Sequence, residues 1–373
     1  MKVLVCIPCL LTGGTEIQTL SLVEALVAAG HEVVVACYFE YAAPMVERYR
    51  NAGAEVELLS NDGGRPVGVK ATLMHLWRGL RRVVRKHCPD VAHVQYMAPG
   101  ALPILVLRAL RVKKIIATTH TAADIYPSLK QIHWLNRHML TAFQCITLKA
   151  ENSFFGSASL FGSDTVIRKH DTHFTIYNNL PSYIRIADSP RTGAPTVIGV
   201  VSRLERIKGM DLVIPAFVEV YAKHPHMKLL VVGDGSQRKL MERQVHDLGL
   251  PERAVEFAGR QGQDVLESFY DRIDILLMPS RSEGFGLTAI EGMARGCVPV
   301  VSNIGGLPEV VEDNVSGLIH EAESVHVIAD KINAVIADAK LFGSLSCGAF
   351  RRAHDFSQER YNKQISDLYK RIR

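Results

Sequence analysis

The chain has no apolar run approaching the roughly 18 residues that a membrane-spanning helix requires. Its seven cysteines, at 6, 9, 37, 88, 145, 297 and 347, are odd in number, scattered and mostly in apolar settings. That argues against a disulfide framework and for the reduced thiols of a cytoplasmic protein. Cys6-Ile-Pro-Cys9 has the spacing of a redox motif, but it ends a strand beside a glycine pair, which points to packing. Val3 to Leu11 lacks a basic region longer than Lys2 and runs directly into that glycine pair, so it reads as a first strand and not a secretory leader. Nucleic-acid binding needs a recognised module or aromatics interleaved with basic residues, and the sequence offers neither.

What is present is a repeated alternation of strands and helices. At 373 residues and 47% hydrophobic content the chain can hold two ordinary domains with sizeable cores. Strands are expected near 2–8, 32–38, 54–59, 91–95 and 114–119, with helices near 15–29, 43–52, 69–88 and 99–111. The alternation restarts after Asn178, with strands near 196–202, 228–233, 254–258, 274–279 and 298–302 and helices near 209–223, 236–248, 263–271, 286–295 and 323–341. Two consecutive Rossmann-like α/β domains with parallel sheets are the simplest account. Turn and linker residues between Leu180 and Pro195 mark the boundary, giving domains 1–185 and 186–355 and a last helix within 356–373.

The densest chemistry lies in Ser280 to Val311. Asp274 to Pro279 reads as a buried strand closed by proline, Gly284-Phe285-Gly286 as a turn, and Leu287 to Arg295 as a helix. The exposed amides of Phe285, Gly286 and Leu287 then suit phosphates. Glu283 sits just before the helix and Glu291 about two turns inside it. As anions they are poor phosphate ligands, but carboxylates accept hydrogen bonds from hydroxyls, so a diol is the natural partner of each, a hexose at one end and a ribose at the other. In Val197 to Asp211 a strand is followed by Arg203 and Lys208 and a helix opening near Gly209. Two cations beyond the end of a strand make a diphosphate site, Arg203 gripping two oxygens and Lys208 acting as a point charge. Near the amino terminus, Thr12-Gly13-Gly14-Thr15-Glu16 precede a helix from Ile17 to Ala29, and Thr15 with Gln18 fits a capping box. The spacing there is not the dinucleotide fingerprint. His120 follows another strand, Lys114 to Thr119.

Together these motifs resemble those of the retaining glycosyltransferases of GT-B type known as group 1 or family 4. Glu283 to Glu291 matches the E-x7-E pattern; Val197 to Asp211 is similar to G-R-L-x-x-x-K-G, with Ser202 in place of the glycine; Gly13-Gly14-Thr15-Glu16 is similar to the G-G-x-E loop. The resemblance implies two Rossmann-like domains facing a cleft, acceptor-side first and nucleotide-sugar-binding second, with the last helix crossing back to the first. It implies catalytic roles for His120, Arg203, Lys208 and Glu283, His120 as a hydrogen-bonding or electrostatic group. Donor binding falls to Gly13, Gly14, Arg203, Lys208, Glu283, Gly284, Phe285, Gly286, Leu287 and Glu291, with Arg260 and Gln261 near the base. Related enzymes often carry Asn-Gly where this chain has Asn178-Asn179, and asparagine can adopt the left-handed conformation there.

The implied reaction moves a hexose-type sugar from a nucleoside diphosphate sugar, UDP favoured, to a hydroxyl of a glycan or lipid-linked acceptor with retained anomeric configuration. Surface polysaccharide or glycolipid synthesis is the expected setting. Neither a cofactor nor a divalent metal is expected, and the absence of any Asp-x-Asp agrees. A nucleotide-sugar epimerase or hydrolase of the same shape, and a non-catalytic partner subunit of a transferase, are the alternatives.

Charge is uneven: residues 1–185 carry 20 Lys+Arg against 13 Asp+Glu, and residues 186–373 carry 23 against 25. The excess gathers in 70–87, where Leu73, Leu76, Trp77, Leu80, Val83 and Val84 form one stripe flanked by Arg78, Arg81, Arg82, Arg85 and Lys86. Such a helix either touches an anionic membrane, making the protein peripheral on the inner face, or packs on the sheet with its basic face in water.

Overall fold

Val33-Val34-Val35, Ile115-Ile116, Leu229 to Val232 and Val298 to Val301 are apolar on both faces, as strands of a sheet covered by helices on both sides must be. In the computed structural model, which describes residues 1–60, 63–96, 99–122, 126, 128–168, 171–321 and 323–372, they lie in two separate parallel sheets. The chain divides into unit 1, Met1–Asn179 with Gln358–Arg373, and unit 2, Leu180–Ser357.

Unit 1 runs β1 (Lys2–Ile7), α1 (Gly14–Ala28), β2 (Glu32–Cys37), α2 (Ala43–Asn51), β3 (Ala54–Leu58), α3 (Val69–His87), β4 (Val91–Tyr96), α4 (Leu102–Ala109), β5 (Lys114–Thr119), α5 (Leu129–His138), β6 (Ala142–Cys145), α6 (Leu148–Phe155) and β7 (His173–Thr175). Its sheet order is β3-β2-β1-β4-β5-β6-β7. Unit 2 runs β8 (Val197–Val201), α7 (Met210–Lys223), β9 (Lys228–Val232), α8 (Arg238–Asp247), β10 (Val255–Gly259), α9 (Leu266–Tyr270), β11 (Ile275–Met278), α10 (Leu287–Ala294), β12 (Val298–Ser302), α11 (Leu307–Val310), β13 (Leu318–His320), α12 (Val325–Ala337) and α13 (Ala339–Ala353), with order β10-β9-β8-β11-β12-β13. The last helix, α14 (Gln358–Arg371), belongs to unit 1, where the Tyr369 hydroxyl lies 2.8 Å from His93 Nδ1 on β4. Arg373, included in the expected last helix, lies outside the described residues.

Both sheets are therefore doubly wound, with the strand order reversing between β1 and β4 and between β8 and β11. Ligands of such sheets bind outside the carboxyl ends of the strands at that switch point. The core of unit 2 joins Ile198, Val200, Leu229, Val231, Ile275 and Leu277 to Val213, Phe217 and Val220 of α7.

The expected pattern needs several corrections. The segment between β5 and β8 holds β6, β7, α5 and α6, none of which was expected, and β13 was missed as well. These strands are three or four residues long and carry polar Gln144, Thr175 and His320 in buried positions, which hides their periodicity. The helix expected over 323–341 is two helices, because the Asp338 carboxylate accepts from Lys340 and Leu341 amides and starts α13. The stripe on α3 also divides. Leu76, Leu80 and Val83 enter the core, while Leu73, Met74 and Trp77 are 40%, 50% and 37% exposed and follow Val67 and Val69 at 94% and 72%. At the other end of α3, Lys86 Nζ bonds Glu55 and Glu57 at 2.6 and 2.8 Å.

Candidate functional site

The loops after β8 and β11 flank the switch point of unit 2, and two ion pairs tie them together. Lys208 Nζ donates to Glu283 Oε2 at 2.7 Å, with the side chains 19% and 16% exposed. Arg281 grips Asp211, in the first turn of α7, through both terminal nitrogens at 2.6 and 3.0 Å and also donates to the Arg206 carbonyl at 2.6 Å. Hydrogen bonds from Arg281 help hold the Asp211 carboxyl below the usual range, against the burial that raises it. Glycine permits the close approach of these loops. Gly209 has φ +71, and a Cβ on it would lie 1.9 Å from the Pro279 carbonyl oxygen. Gly305, φ +59, lies so close that a Cβ would come within 1.7 Å of the Glu283 carbonyl oxygen. Arg203 is exposed in the first of the two loops, and Ser202 donates from Oγ to the Arg203 carbonyl at 3.0 Å.

Gly284, Phe285, Gly286 and Leu287 form the entry to α10, with Gly286 as the residue before the first helical one. Since α10 begins at Leu287, Glu291 lies one turn inside it, not two. The Glu291 carboxylate is buried and doubly held: Tyr183 donates to Oε1 at 2.7 Å and Tyr270 to Oε2 at 2.6 Å. Burial raises its pKa above the ordinary 4.5, and the two phenols oppose that shift. Arg260 and Gln261 follow β10, with β9 between that strand and β8; Arg260 is exposed, and Gln261 donates to the Ala258 carbonyl at 2.6 Å.

In unit 1, Gly13, Gly14 and His120 lie beyond the carboxyl ends of β1 and β5, with β4 between these strands. α1 starts at Gly14 after an extended Gly13, so Thr15 stands inside the helix and the capping box is not formed. Gln18 instead donates to the Asn179 carbonyl at 2.8 Å and accepts from its amide at 3.2 Å. Asn179, thus held, is not among the described residues with positive φ. His120 is buried, with Nε2 2.7 Å from Gln95 Oε1 on β4, and burial depresses its pKa to about 4. It is neutral near pH 7 and fit to donate or accept a hydrogen bond.

Comparison with known proteins identifies the lineage. Residues 12–160 match the family model described as Glycosyltransferase Family 4, and residues 184–349 match Glycosyl transferases group 1. The chain belongs to the group 1 and family 4 glycosyltransferases. Relatives include a D-inositol 3-phosphate glycosyltransferase of Corynebacterium urealyticum, 32% identical over 47% of this chain and 43% of that protein. Another, from Salinispora tropica, is 31% identical over 50% and 40%. The match thus spans less than half the length of these curated relatives. The fold is that of Anabaena HepE, solved with UDP and glucose, at TM-score 0.79 and 19% identity over 99% of each chain. It is also that of sucrose-phosphate synthase from Thermosynechococcus elongatus, at TM-score 0.76 and 20% identity over 100% and 98%. The two parallel-sheet α/β units of this chain fit the GT-B architecture of two Rossmann-like domains, as the sequence motifs implied.

For a glycosyltransferase of this family, the motif residues of unit 2 divide clearly. Lys208 and Glu283 touch, Glu291 stands one turn down α10, and Arg203 and Arg260 are exposed. Sequence reasoning missed Tyr183, Tyr270, Gln95 and Gly305. Gly305 alone had a signal, as half of a Gly-Gly pair just after a strand. The tyrosines and Gln95 are far in sequence from the groups they hold.

Proposed function

We propose that the chain transfers a hexose-type sugar from a nucleoside diphosphate sugar, UDP favoured, to a hydroxyl of a glycan or lipid-linked acceptor, with retention of anomeric configuration. The observation that carries this is the Lys208–Glu283 pair at the switch point of a parallel sheet. It puts a cation suited to phosphate beside an anion suited to sugar hydroxyls, on two loops fixed by glycine contacts. Breaking the glycosidic bond leaves charge on the diphosphate. Lys208, Arg203 and the amides at the start of α10 would stabilise that charge in the transition state, without calling on a divalent ion. The leaving phosphate oxygen then takes the proton of the attacking hydroxyl on the same face. His120, neutral, acts as a hydrogen-bonding group to the donor sugar or acceptor, and Arg260 and Gln261 border the base.

The setting is surface polysaccharide or glycolipid synthesis at the inner face of the membrane. Support comes from the exposed Val67, Val69, Leu73, Met74 and Trp77, beside Lys70, Arg78 and Arg81, which suit an anionic lipid surface. No helix among the described residues is long and apolar enough to cross a membrane.

The test is a binding and hydrolysis screen of chelator-treated protein against UDP-, GDP- and ADP-sugars. Saturable binding of one series, lost in Lys208→Ala, is the expected result. Binding of none, or undiminished binding in the variant, would overturn the donor assignment.

A further inference from the structure

Glu291 has an unusual setting for a group meant to meet a ligand. It is 4% exposed, and each of its oxygens already accepts a hydrogen bond from a phenol. The two phenols differ. Tyr270, at the end of α9, has no exposed surface, and its backbone carbonyl accepts from Cys297 Sγ at 3.4 Å. Tyr183, in the segment that leads into β8, is only half-buried. Of the two phenols, only Tyr183 keeps surface that a ligand could meet.

Resting on the donor reading above, we infer that Tyr183 and Tyr270 are opposed positioning residues for ribose recognition. Tyr270 fixes the carboxylate of Glu291, and Tyr183 is the exchangeable occupant that a ribose hydroxyl displaces. Because Tyr270 is fully buried its bond persists, while the bond to half-buried Tyr183 is the one traded for a bond to the ligand. The affinity for ribose is then a difference between two bonds to one oxygen. Among the described residues, the titratable groups facing Glu291 are Tyr183 from the entry segment and Tyr270 from α9, with Cys297 beyond Tyr270. Burial pushes Tyr270 far above its usual range and Cys297 up to about 12, so Glu291 is the group among these two and itself that titrates in acid.

The two isosteric substitutions should act with opposite sign. Calorimetric titration of the full chain with UDP and 2′-deoxy-UDP, and with GDP and 2′-deoxy-GDP as a second pair, gives the preference for the ribose hydroxyl. Tyr183→Phe should raise that preference about two- to ten-fold by removing the competitor. Tyr270→Phe should lower it about ten-fold by freeing the carboxylate. Glu291→Gln should nearly abolish it. Because Tyr183 opposes the burial shift, its loss should also move the acid limb of ribose preference to higher pH, an effect that a merely structural residue would not produce. If Tyr270→Phe fails to fold, Tyr183→Phe at its half-buried position decides the matter alone. Equal or same-sign effects of the two phenylalanines, or a weaker preference in Tyr183→Phe, would overturn the inference while leaving the donor reading intact. Failure of the native protein to bind either nucleotide pair would overturn the donor reading, and this inference with it.

Discussion

Lys208 is held by Glu283 at 2.7 Å, and on the proposed donor reading a diphosphate would have to draw it away. Two substitutions separate these roles. At 2.7 Å the Coulomb attraction is about 1.5 to 6 kcal/mol for an effective dielectric between roughly 80 and 20. Desolvation and the residual exposure of both groups bring the net value of such a pair down to about 1–3 kcal/mol. Glu283→Gln removes that opposing interaction and a like charge near the diphosphate, so UDP should bind about five-fold or more tightly. Lys208→Met instead deletes a charge-assisted bond worth about 1.5–3 kcal/mol, a loss of about 10- to 150-fold in UDP affinity. Transfer from the intact donor should fall about 10²- to 10³-fold in both, in one for want of charge stabilisation and in the other for want of the sugar contact. Calorimetry with UDP, paired with a coupled assay of UDP release from the sugar donor, reads both quantities. If Glu283→Gln weakened UDP as much as Lys208→Met did, the pair would have to stay closed around the ligand, and the exchange argument would be wrong.

Other consequences can be checked one at a time. Gly305→Ala places a methyl against the Glu283 carbonyl at a positive φ, and we expect about 2–4 kcal/mol of destabilisation with a loss of donor binding, read by thermal unfolding with and without UDP. His93 and His120 are depressed to about 3 and 4, mainly by burial, so the unfolded chain takes up their protons first. Stability should accordingly fall as pH drops from about 6.5 toward 4, and turnover should show no titration of His120 between pH 6 and 8; an activity limb near 6.5 that vanished in His120→Asn would contradict this. Of the seven thiols, Cys88 is exposed while Cys6, Cys37, Cys145 and Cys297 are buried with raised pKa values; mass spectrometry after brief alkylation should find Cys88 modified and those four intact. Replacing Leu73 and Trp77 with serine should leave the melting temperature nearly unchanged and weaken sedimentation with anionic vesicles; retention of full binding would remove the α3 face from the membrane contact.

The long strands and the glycine-rich turns were legible because the local pattern carries them. Val33 to Val35 and Val298 to Val301 announce covered parallel strands, and Gly209 and Gly286 stand where strand-to-helix loops must turn. What the sequence concealed was long-range. β7 is three residues long and is recognisable only from its pairing with β6, and Asp338 reads as one polar residue of a continuous helix until its carboxylate is seen accepting two amides. The roles expected of Lys208 and Glu283 came from separate motifs, 75 residues apart, so their contact could not be read from either motif alone. The phenols on Glu291 lie 108 and 21 residues away, and no spacing rule reaches them.

Unit 2 begins and ends beside itself, for the Leu180 amide donates to the Phe356 carbonyl at 2.7 Å, and α14 then returns to unit 1 against α1. On the ribosome this order has a cost. All of unit 1 but its last helix is made before unit 2, yet the helix whose Tyr369 meets buried His93 is made only after all of unit 2. The later-made unit can close first, and the earlier one must wait until α14 has been made to cover α1.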